Sequence, residues 1–214
     1  MRGNEATMQR PVRLLVGVPS IGLVHVEFLD SLCELIRELN EDGVRFDVFT
    51  IKRTVIHMAR ELIAERAILG RYTHVLWLDS DMTFDGDIWR GLIYTMNDTG
   101  ADLVSGIYRS RHGHRGLCLW ESIKPVVQME ALPDEEVFDI AGCGFGIVLT
   151  TTRILDLVRN HSLLAFAPMA EYGEDLSFCY RAAQLGAKLV ATQAVQAGHL
   201  STARIDVNGD MTAL

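Results

Sequence analysis

Apolar runs that end at turn residues alternate along this chain with stretches of helical periodicity, and that alternation restricts the fold more than any other feature. Val12 to Val18 stops at Pro19-Ser20, the pattern of a central strand buried on both faces. Val26, Leu29, Cys33 and Ile36 then recur at helical spacing beside a second row of Phe28, Leu32, Leu35 and Leu39, with Gly43 beyond the helix end. Val44 to Phe49 alternates as a strand, Val55, Met58 and Leu62 mark a helix ending at Gly70, and Val75 to Leu78 is the third strand. Asp85-Gly86-Asp87 opens a helix with Ile88, Leu92 and Met96 inward, followed by a strand from Asp102 to Tyr108. Such repetition predicts an α/β fold in three α/β/α layers, with a mainly parallel sheet that collects ligands outside its carboxyl strand ends. Pro19, Thr50, Asp79 and Tyr108 all fall at such ends.

Beyond Tyr108 the order loosens. Gly113 to Glu136 holds hairpin-like pieces, Leu117 to Trp120 and Pro125 to Met129, expected to pass over the ligand-binding edge of the sheet. Gly142-Cys143-Gly144-Phe145-Gly146 then runs into Ile147-Val148-Leu149; its spacing is not Gly-x-Gly-x-x-Gly, so a dinucleotide fingerprint is not supported. Glycine in a strand marks the close approach of another backbone or a ligand. A helix from Arg153 to Asn160 follows, then a helix opened by Gly173-Glu174-Asp175 with Leu176, Cys179 and Ala183 inward, then a last strand from Lys188 to Ala191 trailed by Gly198-His199. The reading divides the chain into a polar leader (1–11), one domain (12–200) and a polar tail (201–214) with a turn signal at Asn208-Gly209.

The most informative residues are Asp79-Ser80-Asp81, at the tip of the apolar run Val75 to Leu78. Two carboxylates delivered there from a buried strand are costly unless a cation uses them. Along an extended backbone both point the same way, so both are expected to face one ion, and a hard divalent cation such as Mg2+ or Mn2+ takes oxygen ligands and leaves positions for water and phosphate. The other reading of these acids is a turn that caps a helix. With 214 residues, 49% of them hydrophobic, the chain is long enough for one core without staples. No apolar stretch reaches the ~20 residues of a membrane helix, and the first ten residues lack an apolar signal core. Cys33, Cys118, Cys143 and Cys179 form no Cys-x-x-Cys pair, as for reduced thiols in a cytoplasm. The net charge of -8 argues against general polyanion binding, although Arg109, Arg111, His112, His114 and Arg115 form one basic cluster beside a strand end.

Val12 to Pro19, Arg60 in Met58-Ala59-Arg60, Leu76 to Asp81, Gly144-Phe145-Gly146, Gly173-Glu174-Asp175 and Gly198-His199 occur in an order that resembles nucleotide-sugar glycosyltransferases of the GT-A fold, of the compact family-2-like type. The resemblance covers roughly residues 12 to 200 and rests on order and spacing, since Asp-x-Asp alone is common. It implies a non-processive, metal-dependent enzyme that moves one sugar from a nucleotide-diphosphate donor, a UDP-sugar above all, to an acceptor hydroxyl. By this resemblance Asp81 is a direct Mn2+ or Mg2+ ligand, Asp79 reaches the ribose or metal waters, and His199 supplies a third ligand or is an ordinary loop residue. Pro19, Ser20 and Ser80 shape the donor pocket, and Arg53, Lys52 and Arg60 lie on its diphosphate side. Glu174 and Asp175 face the acceptor, with Asp175 as base if the anomeric centre inverts; acids at a helix start also cap free N–H groups. Burial would raise the Asp175 pKa, whereas a metal and the helix start would lower it.

Acceptor recognition is assigned to Arg109, Arg111, Arg115 and Gly144. The acceptor is either a glycan or small molecule, or a hydroxymethylated base of DNA, as for small bacteriophage enzymes of similar plan; in that case the protein works in the host cytoplasm. Relatives often carry Arg-Asn where this chain has Arg60-Glu61, which leaves the start of that helix unexplained, and the Gln-x-x-Arg-Trp of processive enzymes is absent. Two alternatives stand: a non-catalytic nucleotide-binding module on the same scaffold, and a sugar-phosphate nucleotidyltransferase. The second would carry a Gly-rich basic loop after the first strand, whereas Pro19 to Val24 has no Lys or Arg.

Overall fold

The computed structural model describes residues 11–111, 116–169, 171–201, 203–205 and 211–213. Two β-α-β units come first: β1 (Arg13–Ser20), α1 (Val26–Glu41), β2 (Arg45–Lys52), α2 (Ile56–Leu69) and β3 (His74–Leu78). β1 runs parallel to both β2 and β3. Its position between them explains its unbroken apolar run, because Leu14 and Val16 enter one face of the sheet and Leu15 the other.

The chain continues through β4 (Met82–Phe84), α3 (Ile88–Thr99) and β5 (Leu103–Ile107) to the short strands β6 (Leu119–Ile123), β7 (Val126–Gln128), β8 (Val137–Asp139) and β9 (Gly142–Cys143). After them come β10 (Ile147–Thr151), α4 (Thr152–Ser162), α5 (Glu174–Gln184), β11 (Leu189–His199) and the paired strands β12 (Ala203–Ile205) and β13 (Met211–Ala213). The main sheet is ordered β2-β1-β3-β10-β5-β11-β4, with β8 also on β11. β5 and β11 are parallel, while β10 runs antiparallel between β3 and β5. The expected hairpin pieces are β6 and β7, which join β9 in a separate three-stranded sheet.

Two cores flank the main sheet, giving the three layers. On one side Phe28, Leu35 and Leu39 of α1 and Leu92 and Met96 of α3 pack on Leu14, Val16, Leu76 and Leu78. On the other, Ile63, Ala64 and Ala67 of α2, Leu155 of α4 and Phe178 of α5 pack on Leu15, Val75 and Trp77. Each fully buried large side chain contributes about 1.5–3 kcal/mol. Trp77, Phe145, Phe166 and Phe178 form a connected aromatic group, and the buried Trp77 indole donates to Thr150 Oγ1 at 2.9 Å.

Helix faces depart from the apolar spacing. In α1 the inward row is Phe28, Leu32, Leu35 and Leu39, while Val26 and Leu29 are exposed. In α2 the marked residues Val55, Met58 and Leu62 are exposed and the buried face is Ala59, Arg60, Ile63, Ala64 and Ala67. Close packing is the reason: a Cβ on Gly17 of β1 would stand 2.5 Å from Ile63 Cγ2, so α2 approaches through its small residues and not its largest. In α5 Ala182 is buried, not Ala183. β11 continues eight residues past the expected end at Ala191, through an irregularity between Ala191 and Gln196, to pair with β4. Among the described residues no helix is long and apolar enough to cross a membrane.

Candidate active site

β3 ends at Leu78 and the chain turns through Asp79-Ser80-Asp81, the Met82 N–H donating to Asp79 O at 3.2 Å before β4 begins. The turn replaces the extended backbone expected here, and the two carboxylates take different partners. Asp79 accepts from Arg60 Nη2 at 3.2 and 3.3 Å. Arg60 is only 3% exposed, lies over the Phe145 ring at 5.0 Å and brings its Nε to 3.4 Å from Glu174 Oε1. One guanidinium therefore links the tip of β3 to the start of α5. Its Nη1 is buried and makes no hydrogen bond among the described residues.

Asp81 is ion-paired with Arg111 Nη1, and His199 Nε2 lies 3.5 Å from its carboxylate. The ladder between β4 and β11 places Met82 opposite His199, and Leu200 N–H donates to Asp81 O at 2.8 Å. His199 Nδ1 is 3.0 Å from the Arg109 carbonyl; since a carbonyl only accepts, Nδ1 carries a proton and Nε2 is the nitrogen turned to Asp81. Burial opposes charge on His199, but hydrogen bonding and attraction from Asp81 outweigh it and raise its pKa. For Asp81 burial acts upward and is exceeded by His199 and Arg111, which lower its pKa.

Pro19, Ser20, Arg60, Asp79, Ser80, Asp81 and Arg111 line one cleft of about 830 Å³, together with the apolar Ile21, Leu23, Val24 and Ile56. This is within the size range of small-ligand sites. Ser20 shapes its wall by donating to Leu23 O at 2.9 Å and accepting from Gly22 N–H at 3.1 Å. Arg53 is exposed at the end of β2, in a left-handed backbone conformation (φ 60°), with its N–H donating to Ser20 O. A second cavity of about 530 Å³ lies at the ends of β5 and β11, lined by Tyr108, Arg109, Arg111, Leu132 and His199 among others.

Gly144, an expected acceptor contact, is buried against Tyr108: a Cβ there would stand 2.2 Å from the Tyr108 hydroxyl, so the ring fills the space. Gly146 N–H donates to the same hydroxyl at 3.0 Å. Asp175 Oδ1 accepts from Leu176 N–H at 2.8 Å, a capping contact at the start of α5. Burial raises the Asp175 pKa against the pull of Arg60. Glu61, also unexplained by the sequence, is structural: it pairs with Arg159 of α4 at 2.9 Å and accepts from Phe166 N–H at 3.1 Å. Arg115, with His112 and His114, lies outside the described residues.

The donor set suits a divalent ion. Asp81 offers carboxylate oxygens, and His199 offers Nε2 once its shared proton leaves, with the ring oriented by the Arg109 carbonyl. No group of three His, Cys, Asp or Glu able to hold an ion occurs among the described residues; Asp81 and His199 are the pair that could contribute to one.

No family model and no curated protein matches the sequence. Solved structures do match. Protein A197 from STIV superposes with a TM-score of 0.64 at 18% identity, covering 94% of this chain and 93% of that one. GalNAc-T7, solved with UDP, GalNAc and Mn2+, superposes with a TM-score of 0.58 at 11% identity, covering 88% of this chain and 43% of that one. The fold is of the GT-A type. Within this GT-A domain the 830 Å³ cleft sits at the carboxyl ends of β1 and β3, where an open α/β sheet gathers ligands.

Asp79 carries a pH signature. Burial pushes its pKa up to about 6 from 3.8, Arg60 pulling the other way and Asp81 adding to the rise. The folded state thus holds the proton more tightly than the unfolded state, and the stability so gained is present at low pH and lost as pH rises from about 4 through 6. With divalent ions chelated, wild-type stability should fall relative to Asp79→Asn by about 2 kcal/mol across that window. Urea denaturation of both proteins from pH 4 to 7.5 checks this; parallel curves would refute it.

Proposed function

We propose that this chain is a glycosyltransferase that moves one sugar from a nucleoside-diphosphate donor of the uridine type to an acceptor hydroxyl, using Mn2+ or Mg2+. The observation that carries the reading is the convergence of Pro19, Ser20, Arg60, Asp79 and Asp81 on one cleft at the strand ends. The likeness in fold to a GalNAc-T7 structure holding UDP, GalNAc and Mn2+ supports it. Four free thiols suit action in the cytoplasm.

Each residue then has a task. Asp81 and His199 hold the ion, which when bound would stabilise charge on the departing diphosphate as a Lewis acid. Asp79, fixed by Arg60, accepts from the ribose hydroxyls, while Arg60, which lines the same cleft, supplies positive charge on the diphosphate side. Ser20 and Pro19 flank the nucleoside. If the anomeric centre inverts, Asp175, with its raised pKa, takes the acceptor proton as the hydroxyl oxygen bonds to the anomeric carbon, and the bond from that carbon to the diphosphate breaks with its electron pair leaving on the diphosphate. In a retaining course the same acid positions the acceptor or donor sugar instead. The acceptor enters through the second cavity, between β5 and β11.

A donor screen tests the reading. Protein and Mn2+ are incubated with several nucleotide-sugars, with either a glycan panel or a hydroxymethylcytosine duplex as acceptor, and free nucleoside diphosphate and product mass are followed. Release of nucleoside diphosphate that stops on chelation supports the transferase, and the arm that gains mass identifies the acceptor class. Donor binding without turnover in any arm would instead identify a nucleotide-binding module, and pyrophosphate release from a nucleoside triphosphate a nucleotidyltransferase.

A further inference from the structure

Arg111 occupies an unusual place for a residue expected only to touch the acceptor. Its guanidinium pairs with Asp81, the carboxylate assigned to the ion, while His199 approaches the same carboxylate at 3.5 Å. Arg111 lines both the 830 Å³ cleft and the 530 Å³ cavity, so it stands where the two regions meet. Among the described residues it pairs with Asp81 and borders both spaces.

We infer that Arg111 is an exchangeable counter-cation: it neutralises Asp81 when no ion is bound and gives up that carboxylate to the divalent ion, its guanidinium passing to the second cavity. This rests on the proposed role of Asp81. Three observations carry it. A carboxylate only 17% exposed needs a positive partner, and Arg111 supplies one without a metal. The arginine itself is 37% exposed, so water screens the pair. The second cavity offers the released side chain a destination it already borders. The exchange keeps a positive partner on Asp81 in both states and returns a cation to the acceptor side only after the ion has arrived.

The test is Mn2+ affinity of the full chain without nucleotide, followed by the EPR signal of the free ion. Because Arg111 and the ion compete for one carboxylate, Arg111→Ala should bind Mn2+ about five- to tenfold more tightly than wild type, a partly exposed ion pair being modest in strength. Arg111→Lys, which keeps a cation, should fall between them. Arg109→Ala removes the same charge two residues away and should tighten binding by less than about threefold through the general field alone. Equal effects of Arg109→Ala and Arg111→Ala, or weaker binding by Arg111→Ala, would overturn the exchange while leaving the transferase reading intact. Absence of Mn2+ binding in wild type and every variant would overturn both.

Discussion

Replacing Asp81 with asparagine should lower metal-dependent release of nucleoside diphosphate by about 10³-fold, because it removes the charged ligand of an ion expected to stabilise the leaving group by several kcal/mol. The amide keeps the size of the side chain and one oxygen, so steric change is small. Folding should lose only on the order of 1 kcal/mol: the lost partners are Arg111, which is partly exposed, and His199, and such pairs are modest in strength. Initial rates over a range of Mn2+ concentrations, with a thermal melt of each protein, separate the effects. A variant that retains wild-type rates at saturating Mn2+ would remove Asp81 from the ion site. His199→Ala should be milder, since the other ligand remains.

The largest expected effect on stability is at Arg60. Its guanidinium is the shared counter-charge of Asp79 and Glu174, and Asp175 also feels it. Arg60→Met keeps much of the stem against Phe145 but leaves these carboxylates uncompensated, at a cost of about 3–5 kcal/mol near pH 8. Protonation offers partial relief. Without Arg60 the pKa of Asp79 should climb further, so the acid becomes neutral at lower pH and the loss shrinks toward about 1–2 kcal/mol at pH 5. Chemical denaturation at the two pH values gives the comparison. A loss that is the same at both would mean that packing on Phe145, not charge, is the main contribution of Arg60. Turnover should fall in the same variant, since Asp79 and Glu174 would no longer be held.

What the sequence disclosed followed from how local each signal is. The run Val12 to Val18 and the run Val75 to Leu78 are contiguous, and β1 and β3 lie where those patterns put them, whereas the acids after Leu78 sit on a turn in place of the extended backbone expected. The start of α5 was equally plain, because Gly173-Glu174-Asp175 is a local helix signal. The inward face of α2 was not, because periodicity counts large apolar residues and this helix packs through alanines, an isoleucine and a buried arginine. β4 was missed because three residues carry no period, and with it the reason His199 reaches Asp81. The meeting of Arg111 with Asp81 spans 30 positions and depends on the order of strands, which no local pattern records. Glu61 looked like a departure from a motif until Arg159 and Phe166 came beside it.

The reversal of β10 bears on how such a fold can diversify. Because this strand points the other way, it offers its beginning to the rim beside Asp79, and that beginning is main chain: the Asp79 amide donates to Gly146 O, and the Gly146 amide donates to Tyr108. Peptide groups cannot be retuned by exchanging side chains, and at Gly144 and Gly146 the Tyr108 ring leaves no volume for one. Descendants of this sequence that take new ligands should therefore vary at Ile21, Leu23 and Val24, which line the cleft, while Gly144 and Gly146 stay unchanged.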